Sequence, residues 1–293
     1  MQGMDTIASI AQLFVYPVKS CAGIALHEAV LTETGLDLDR AWMVVDEHGE
    51  FVTQRELPRM ALIQPQLKTY DMVLRAPGML ALHVAIDAVE QPTRVKVWAD
   101  DCAAYDMGNT AAQWFSDFLG RKLRLVRFDP EQRRLSNLKW TQGFEATNQF
   151  ADGFGLLVAS QASLADLNNR LAVAGHATVG IERFRPNLVL SGIEAFDEDR
   201  LDVLHIATQA SAGSDANSPA QLRLVKPCPH CPIPNIDPAT ALSHPAVGDT
   251  LQAYRQNAVL GGAITFGMNA IVLSGFDQVL RVGQTVSANY QFG

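Results

Sequence analysis

Four cysteines in 293 residues are too few for a disulfide scaffold. No window approaches the roughly 18 uninterrupted apolar residues of a membrane-spanning helix. Basic residues are the minority charge: 23 Lys and Arg against 31 Asp and Glu leave a formal charge of −8, and no basic stripe of the kind nucleic-acid binders carry stands out. The opening MQGMDTIASIAQLFVYPVKS has neither a basic lead nor a continuous apolar centre, so it reads as the approach to a strand rather than as a signal peptide. Fixed-period repeats and low-complexity tracts are missing as well. These absences predict a folded cytoplasmic protein whose cysteines are free thiols or ligands, with no nucleic-acid partner and no membrane span. A small anionic ligand held by a few well-placed basic residues stays compatible with them.

What is present is β-type pattern. An apolar fraction of 48% and a charged fraction of 18% suit a globular chain with a sizeable core. IAQLFVYPV, AWMVVDEHGEFVTQ, MALIQPQLKTY, LALHVAI and TRVKVWA favour β-branched and aromatic residues with partial alternation, and Gly49 sits in a hairpin turn. PNLVLSG, LDVLHIA, AQLRLV, GAITFGMNAIVLS and QVLRVGQTVSANY continue the pattern. Two helices are expected. NTAAQWFSDFLGR puts Ala111, Trp114, Phe115, Phe118 and Leu119 on one face and ends at Gly120. SQASLADLNNRLAV repeats Leu164, Leu167 and Leu171, with Ser163 and Asp166 approximating a capping box. The fold class is mostly β with helical cover (α+β), in two barrel-like domains, 1–127 and 128–293.

The stretch KPCPHCPIPNIDPATA, 226–241, sets Cys228 and Cys231 three apart among five prolines. A dithiol switch needs its first cysteine at a helix start, and Pro232 and Pro234 oppose a helix there. A structural zinc site needs four ligands, and no matching half-site accompanies His230 and His244. Two buried core cysteines are the plain alternative. A stiff proline loop is also what holding one sulfur ligand at fixed geometry requires, and one thiolate suffices when an organic cofactor completes the coordination.

FVYPVKSCAGI, DRAWMVVDEHGEFVTQRELPRMALI, VWADDCAAYDMGNTAAQWFSDFLG, ASQASLADLNNRL, RFRPNLVLSG and KPCPHCPIPNIDP occur in the order seen in MOSC-domain proteins. The chain resembles the branch of that family with an N-terminal β-barrel domain, which includes the mitochondrial amidoxime reducing component and its bacterial counterparts. The likeness runs from about residue 9 to about 286. It implies an N-terminal MOSC β-barrel domain followed by a MOSC domain, and a molybdenum cofactor on a single pyranopterin. Cys231 corresponds to the metal ligand and catalytic cysteine, and Cys228 to a position not used as a ligand.

The same likeness assigns cofactor contacts to Lys19, Ser20, Arg40, Asp152, Gly153, Phe154, Arg185 and Asn187. The cofactor ends in a phosphate, for which Lys and Arg supply charge-assisted donors. Between the cysteines the family usually has Ser-Arg where this chain has Pro229 and His230, so His230 is expected as a weaker, titratable substitute. Trp42, Trp98 and Trp114 are expected in the core, with Cys21 and Cys102 as small buried thiols.

The implied activity is reduction of N-hydroxylated compounds (amidoximes, hydroxylamines, N-hydroxylated bases) to amines. The chain stops at VSANYQFG without the four cysteines of an iron–sulfur domain. Electrons are therefore expected from a separate protein of ferredoxin, flavodoxin or cytochrome type. A carrier that delivers cofactor, or persulfide sulfur on Cys231, to another enzyme is the alternative function.

Overall fold

The computed structural model describes residues 6–89, 91–207 and 219–291. Seven strands close into one barrel: β1 (Thr6–Val15), β2 (Leu156–Ser160), β3 (Leu188–Ser191), β4 (Leu201–Ile206), β5 (Ala220–Pro229), β6 (Ala263–Ser274) and β7 (Thr285–Tyr290). Around the barrel the order is β1, β3, β2, β6, β5, β4, β7 and back to β1. Only the β2–β3 pair is parallel, with Val158 opposite Leu188. Closure leaves no unpaired barrel edge, and the inward residues fill the interior with Ile10, Leu13, Val158, Leu188, Leu204, Leu222 and Val286.

β1 shows how sequence and barrel agree. Its inward side chains are Ala8 and Ile10, then Leu13 and Val15. Strict alternation would break between 10 and 13, and the register against β3 shifts at that point, between Ile10 and Gln12. A bulge inserts one residue and restores the inward phase. Because β1 pairs with β3 and β7, more than 170 residues away, a cut near residue 128 would remove a strand from the barrel of the second half.

Apart from Ile24–Leu26, which pairs with β1, and Glu28–Thr32 with Gly35–Leu36, which form a small sheet with Val279–Arg281, the first half forms two antiparallel sheets. One joins Trp42–Val45, Arg124–Phe128, Asp100–Asp106 and Pro92–Val97; the other joins Gln64–Leu67, Asp71–Arg75 and Leu82–Ala85. Helix α1 (Gly108–Leu119) lays Ala111, Trp114, Phe115 and Phe118 into their shared core and stops at left-handed Gly120. Helix α2 (Gln161–Val173) is capped three residues earlier than expected: Ser160, not Ser163, accepts the bond from the Ser163 N–H. A short helix α3 (Ala246–Gln252), not anticipated from the sequence, packs against it. Met60 to Leu62, read as strand, lies in a 3-10 turn opened by Pro58. Among the described residues no helix is long and apolar enough to cross a membrane.

Candidate cofactor-binding site

β5 does more than close the barrel. It runs on past Leu224 through Lys226, Pro227 and Cys228 to Pro229, slipping register against β6 twice in that extension. Prolines offer no ladder N–H, and bulges are where a paired strand tolerates them. Cys228 thus sits next to last in a strand, and Cys231 lies in the loop before the 3-10 turn Ile233–Asn235. Both face a cavity of about 760 Å³.

All ten residues singled out from the sequence line this cavity. Lys19, Ser20 and Arg40 come from the first half; Asp152, Gly153, Phe154, Arg185 and Asn187 from the loop before β2 and the entry to β3; His230 and Cys231 from the end of β5. Their backbones are strained there. Ser20, Arg40 and Arg185 carry φ of +68°, +51° and +58°, and Trp98, also in the wall, +56°. Nine non-glycine residues among those described have positive φ, so four of the nine converge on one cavity. Such conformations cost about 1–2 kcal/mol each, and they persist where surrounding contacts over-determine them.

Two guanidinium groups pack on one ring. Arg40 and Arg185 stand 4.4 and 4.3 Å from the Tyr16 centroid. Arg40 is committed to protein: it donates to Asp39, to Asn187 Oδ1 at 3.1 Å and to the Arg185 carbonyl at 3.0 Å. Asn187 is committed too, because its oxygen also accepts from the Leu157 N–H and its amide donates to the Phe14 carbonyl. These two shape the wall. Arg185 differs: one nitrogen donates to the Cys21 carbonyl at 2.6 Å, while buried Nη2 has no partner. Burial first, and then the neighbouring Arg40 charge, push the Arg185 pKa down to about 10. The Tyr16 ring and the Cys21 carbonyl meet part of that buried charge.

Lys19 is buried and donates to the Phe150 carbonyl at 2.8 Å and to Asp152 Oδ1 at 2.6 Å. Burial lowers its pKa and the Asp152 charge opposes that. Burial raises the Asp152 pKa, but attraction and hydrogen bonding to Lys19 outweigh it and hold the carboxyl below its usual range. The Trp98 indole N–H donates to the same Oδ1 at 3.0 Å. Ser20 makes no side-chain hydrogen bond within the described residues, so its hydroxyl is available to a ligand.

His230 departs from expectation. Its Nε2 donates to the Phe266 carbonyl at 2.9 Å, and its ring stands edge-on to Phe184. Burial pushes its pKa down to about 4. The imidazole is therefore neutral near pH 7 and is no cationic substitute for arginine; its Nδ1 is left as an acceptor. Burial pushes the Cys228 thiol up to about 12, with the Asp152 charge adding to it. Cys228 is thus poorly suited to ionise.

Sequence reasoning missed Arg134 and misplaced Trp98. Arg134 lines the cavity and binds Asp100, Asn148 and the carbonyls of Gln149 and Ala151, which pins the loop carrying Asp152. Trp98, expected in the core, is 50% exposed, whereas Trp42 and Trp114 are core residues at 0% and 8%. No local pattern marked either of the missed roles, since both depend on a turn and a loop meeting across the cavity.

The MOSC N-terminal beta barrel domain model matches residues 7–122, and the MOSC domain model matches residues 145–287. The chain belongs to the MOSC-domain family. Mitochondrial amidoxime reducing component 2 of Homo sapiens is 33% identical over 262 residues, covering 86% of this chain and 74% of the relative. Mitochondrial amidoxime-reducing component 1 of Mus musculus is 33% identical over 279 residues, covering 90% and 78%. Molybdenum cofactor sulfurase of Bos taurus is 29% identical over 272 residues, covering 86% of this chain but 29% of that longer protein. MOSC membership and these relatives give the chain a molybdenum-related role.

The residues present fit a phosphate-bearing cofactor with a thiolate-ligated metal. Arg185 and Ser20, whose hydroxyl makes no bond among the described residues, line the cavity as donors of the kind that hold an anion, and Cys231 offers sulfur from a proline-stiffened loop.

Proposed function

We propose that this protein is a molybdenum-cofactor-dependent oxidoreductase that reduces N-hydroxylated compounds to amines, taking electrons from a separate redox protein. The observation that carries this reading is the convergence, in one 760 Å³ cavity, of Cys231 with the basic residues Lys19, Arg40, Arg134 and Arg185. Arg185, Ser20 and Lys19 would hold the cofactor's anionic end, and Cys231 would ligate its metal. When bound, the cofactor supplies a two-electron metal centre suited to accepting the oxygen of an N–O bond.

The chain's own residues then position and exclude. Arg40 and Asn187 fix the backbone that presents Arg185. The Lys19–Asp152 pair keeps a carboxylate ionised at the cavity wall, with Oδ2 open as an acceptor for substrate N–H or O–H groups. Neutral His230 holds the loop between the two cysteines against β6 through the Phe266 carbonyl. The net change is R–NHOH plus two electrons and two protons giving R–NH2 and water.

The likeness to molybdenum cofactor sulfurase keeps a second reading in view, a carrier with cofactor or persulfide sulfur on Cys231. Protein from cells with intact cofactor biosynthesis is expected to contain about one molybdenum per chain, and to reduce an amidoxime with reduced viologen but not with NADH alone. Protein with neither molybdenum nor pterin would refute the reductase reading. Molybdenum without turnover of any N-hydroxylated compound would favour the carrier.

A further inference from the structure

We propose that Trp98 is a substrate platform that selects planar, conjugated N-hydroxylated compounds over saturated ones; this rests on the reductase reading above. The first observation is local. Val97 pairs with Asp100, so only Trp98 and Ala99 make the turn between those strands. The first position of that two-residue hairpin has φ +56°. Hairpins of this length favour glycine where φ is positive, because a β-carbon is strained there. A tryptophan in a glycine position carries a local cost with no local gain, which is the mark of a residue kept for what its side chain reaches.

The second observation is where the side chain points. The indole lines the cavity from the side of the first half and leaves half its surface open. It is nevertheless fixed. Its N–H donates to Asp152 Oδ1, and its ring packs against Phe51 at 4.9 Å with a 58° tilt. A half-exposed aromatic held in one orientation is a preorganised stacking surface.

The third observation indicates what the surface accepts. The Arg55 guanidinium lies over the indole at 5.1 Å. Arg55 is exposed, has no carboxylate partner among the described residues, and makes one long side-chain hydrogen bond, to Thr53 Oγ1 at 3.4 Å. It is thus a weakly tethered cap whose head is a planar carbon bonded to nitrogens. An amidoxime has the same planar carbon carrying two nitrogens, and an attached aromatic ring extends that plane. Such a group can displace Arg55 or stack beside it; a puckered saturated ring cannot lie flat on the indole.

The test compares benzamidoxime with cyclohexanecarboxamidoxime, which share the reducible group and differ in the ring. With viologen-driven holoenzyme, normalised to molybdenum, Trp98→Leu should raise KM for benzamidoxime about ten-fold, the worth of one good aromatic stack. KM for the cyclohexane compound should change less than about two-fold, and Trp98→Phe should restore most of the benzamidoxime KM. Equal changes for the two compounds, or none, would overturn the platform and leave Trp98 a support for Asp152. Independently of turnover, benzamidoxime should quench a part of the tryptophan emission that Trp98→Phe lacks. If the wild type reduces neither compound, the reductase reading falls, while the presence or absence of that quench still decides the platform.

Discussion

Replacing Asp152 by Asn should destabilise the protein more than its position on a cavity wall suggests. The Lys19–Asp152 pair is lopsided: the lysine side chain is 7% exposed and the aspartate 72%, that surface being cavity wall rather than open solvent. Removing one partner of a buried pair costs about 3–5 kcal/mol and of an exposed pair about 0–1. With the surviving charge on the buried side, about 2 kcal/mol is expected, a fall in Tm of roughly 5 °C. The pH dependence follows from the two shifts. The depressed Asp152 pKa gives wild type an advantage present above the unfolded carboxyl value and lost as pH falls through the folded one. In the variant the stranded Lys19 has a lowered folded pKa, so the deficit shrinks as pH rises through that value toward the unfolded lysine value, about 10.4. Thermal melts across pH would show both trends. Lys19→Met combined with Asp152→Asn should be more stable than Asp152→Asn alone, because the uncompensated charge is gone. A double variant as unstable as the single one, or an unchanged Tm in Asp152→Asn, would refute the reasoning.

The barrel was legible where residues alternate. β4, the first part of β5, and β6 follow runs of apolar and β-branched residues, and α1 follows its one-sided apolar face to Gly120. What stayed hidden is non-local. Nothing in 6–15 says that this strand pairs with 188–191 and 285–290, and so belongs with the second half. The site residues came from family likeness, and the structure brings them together without giving them one role. Arg40 and Asn187 spend their polar atoms on the protein, whereas Arg185 keeps one nitrogen unspent. Motif matching cannot separate those cases, because hydrogen-bond commitment depends on partners across the fold. The charge state of His230 was hidden for the same reason: Phe184 and the Phe266 carbonyl, which bury and bind it, lie far off in sequence.

Three further outcomes are expected. Arg185→Gln should lower pterin retained through purification about ten-fold at limiting cofactor, since charge-assisted bonds are worth about 1.5–3 kcal/mol; full retention would place the anion elsewhere. Gly267→Ala should cost about 2–3 kcal/mol, because its φ is +72° and a β-carbon would meet the Val158 carbonyl at 2.6 Å. Gly261→Ala, with similar φ and open space, should cost only about 1 kcal/mol, so equal losses in chemical denaturation would discount the contact. The two sulfurs of the proline loop should prove unequal. Cys231→Ala should abolish reduction of N-hydroxylated substrates, since loss of a metal thiolate changes both charge and coordination number at the reacting centre. Cys228→Ala should keep substantial activity and lose about 1 kcal/mol of stability, because burial holds its thiol protonated and Asp152 reinforces that. A dithiol switch would instead make both substitutions fatal and would leave a Cys228–Cys231 disulfide in oxidised protein, visible as two fewer titratable thiols. An inactive Cys228→Ala beside an active Cys231→Ala would put the ligand on the other sulfur.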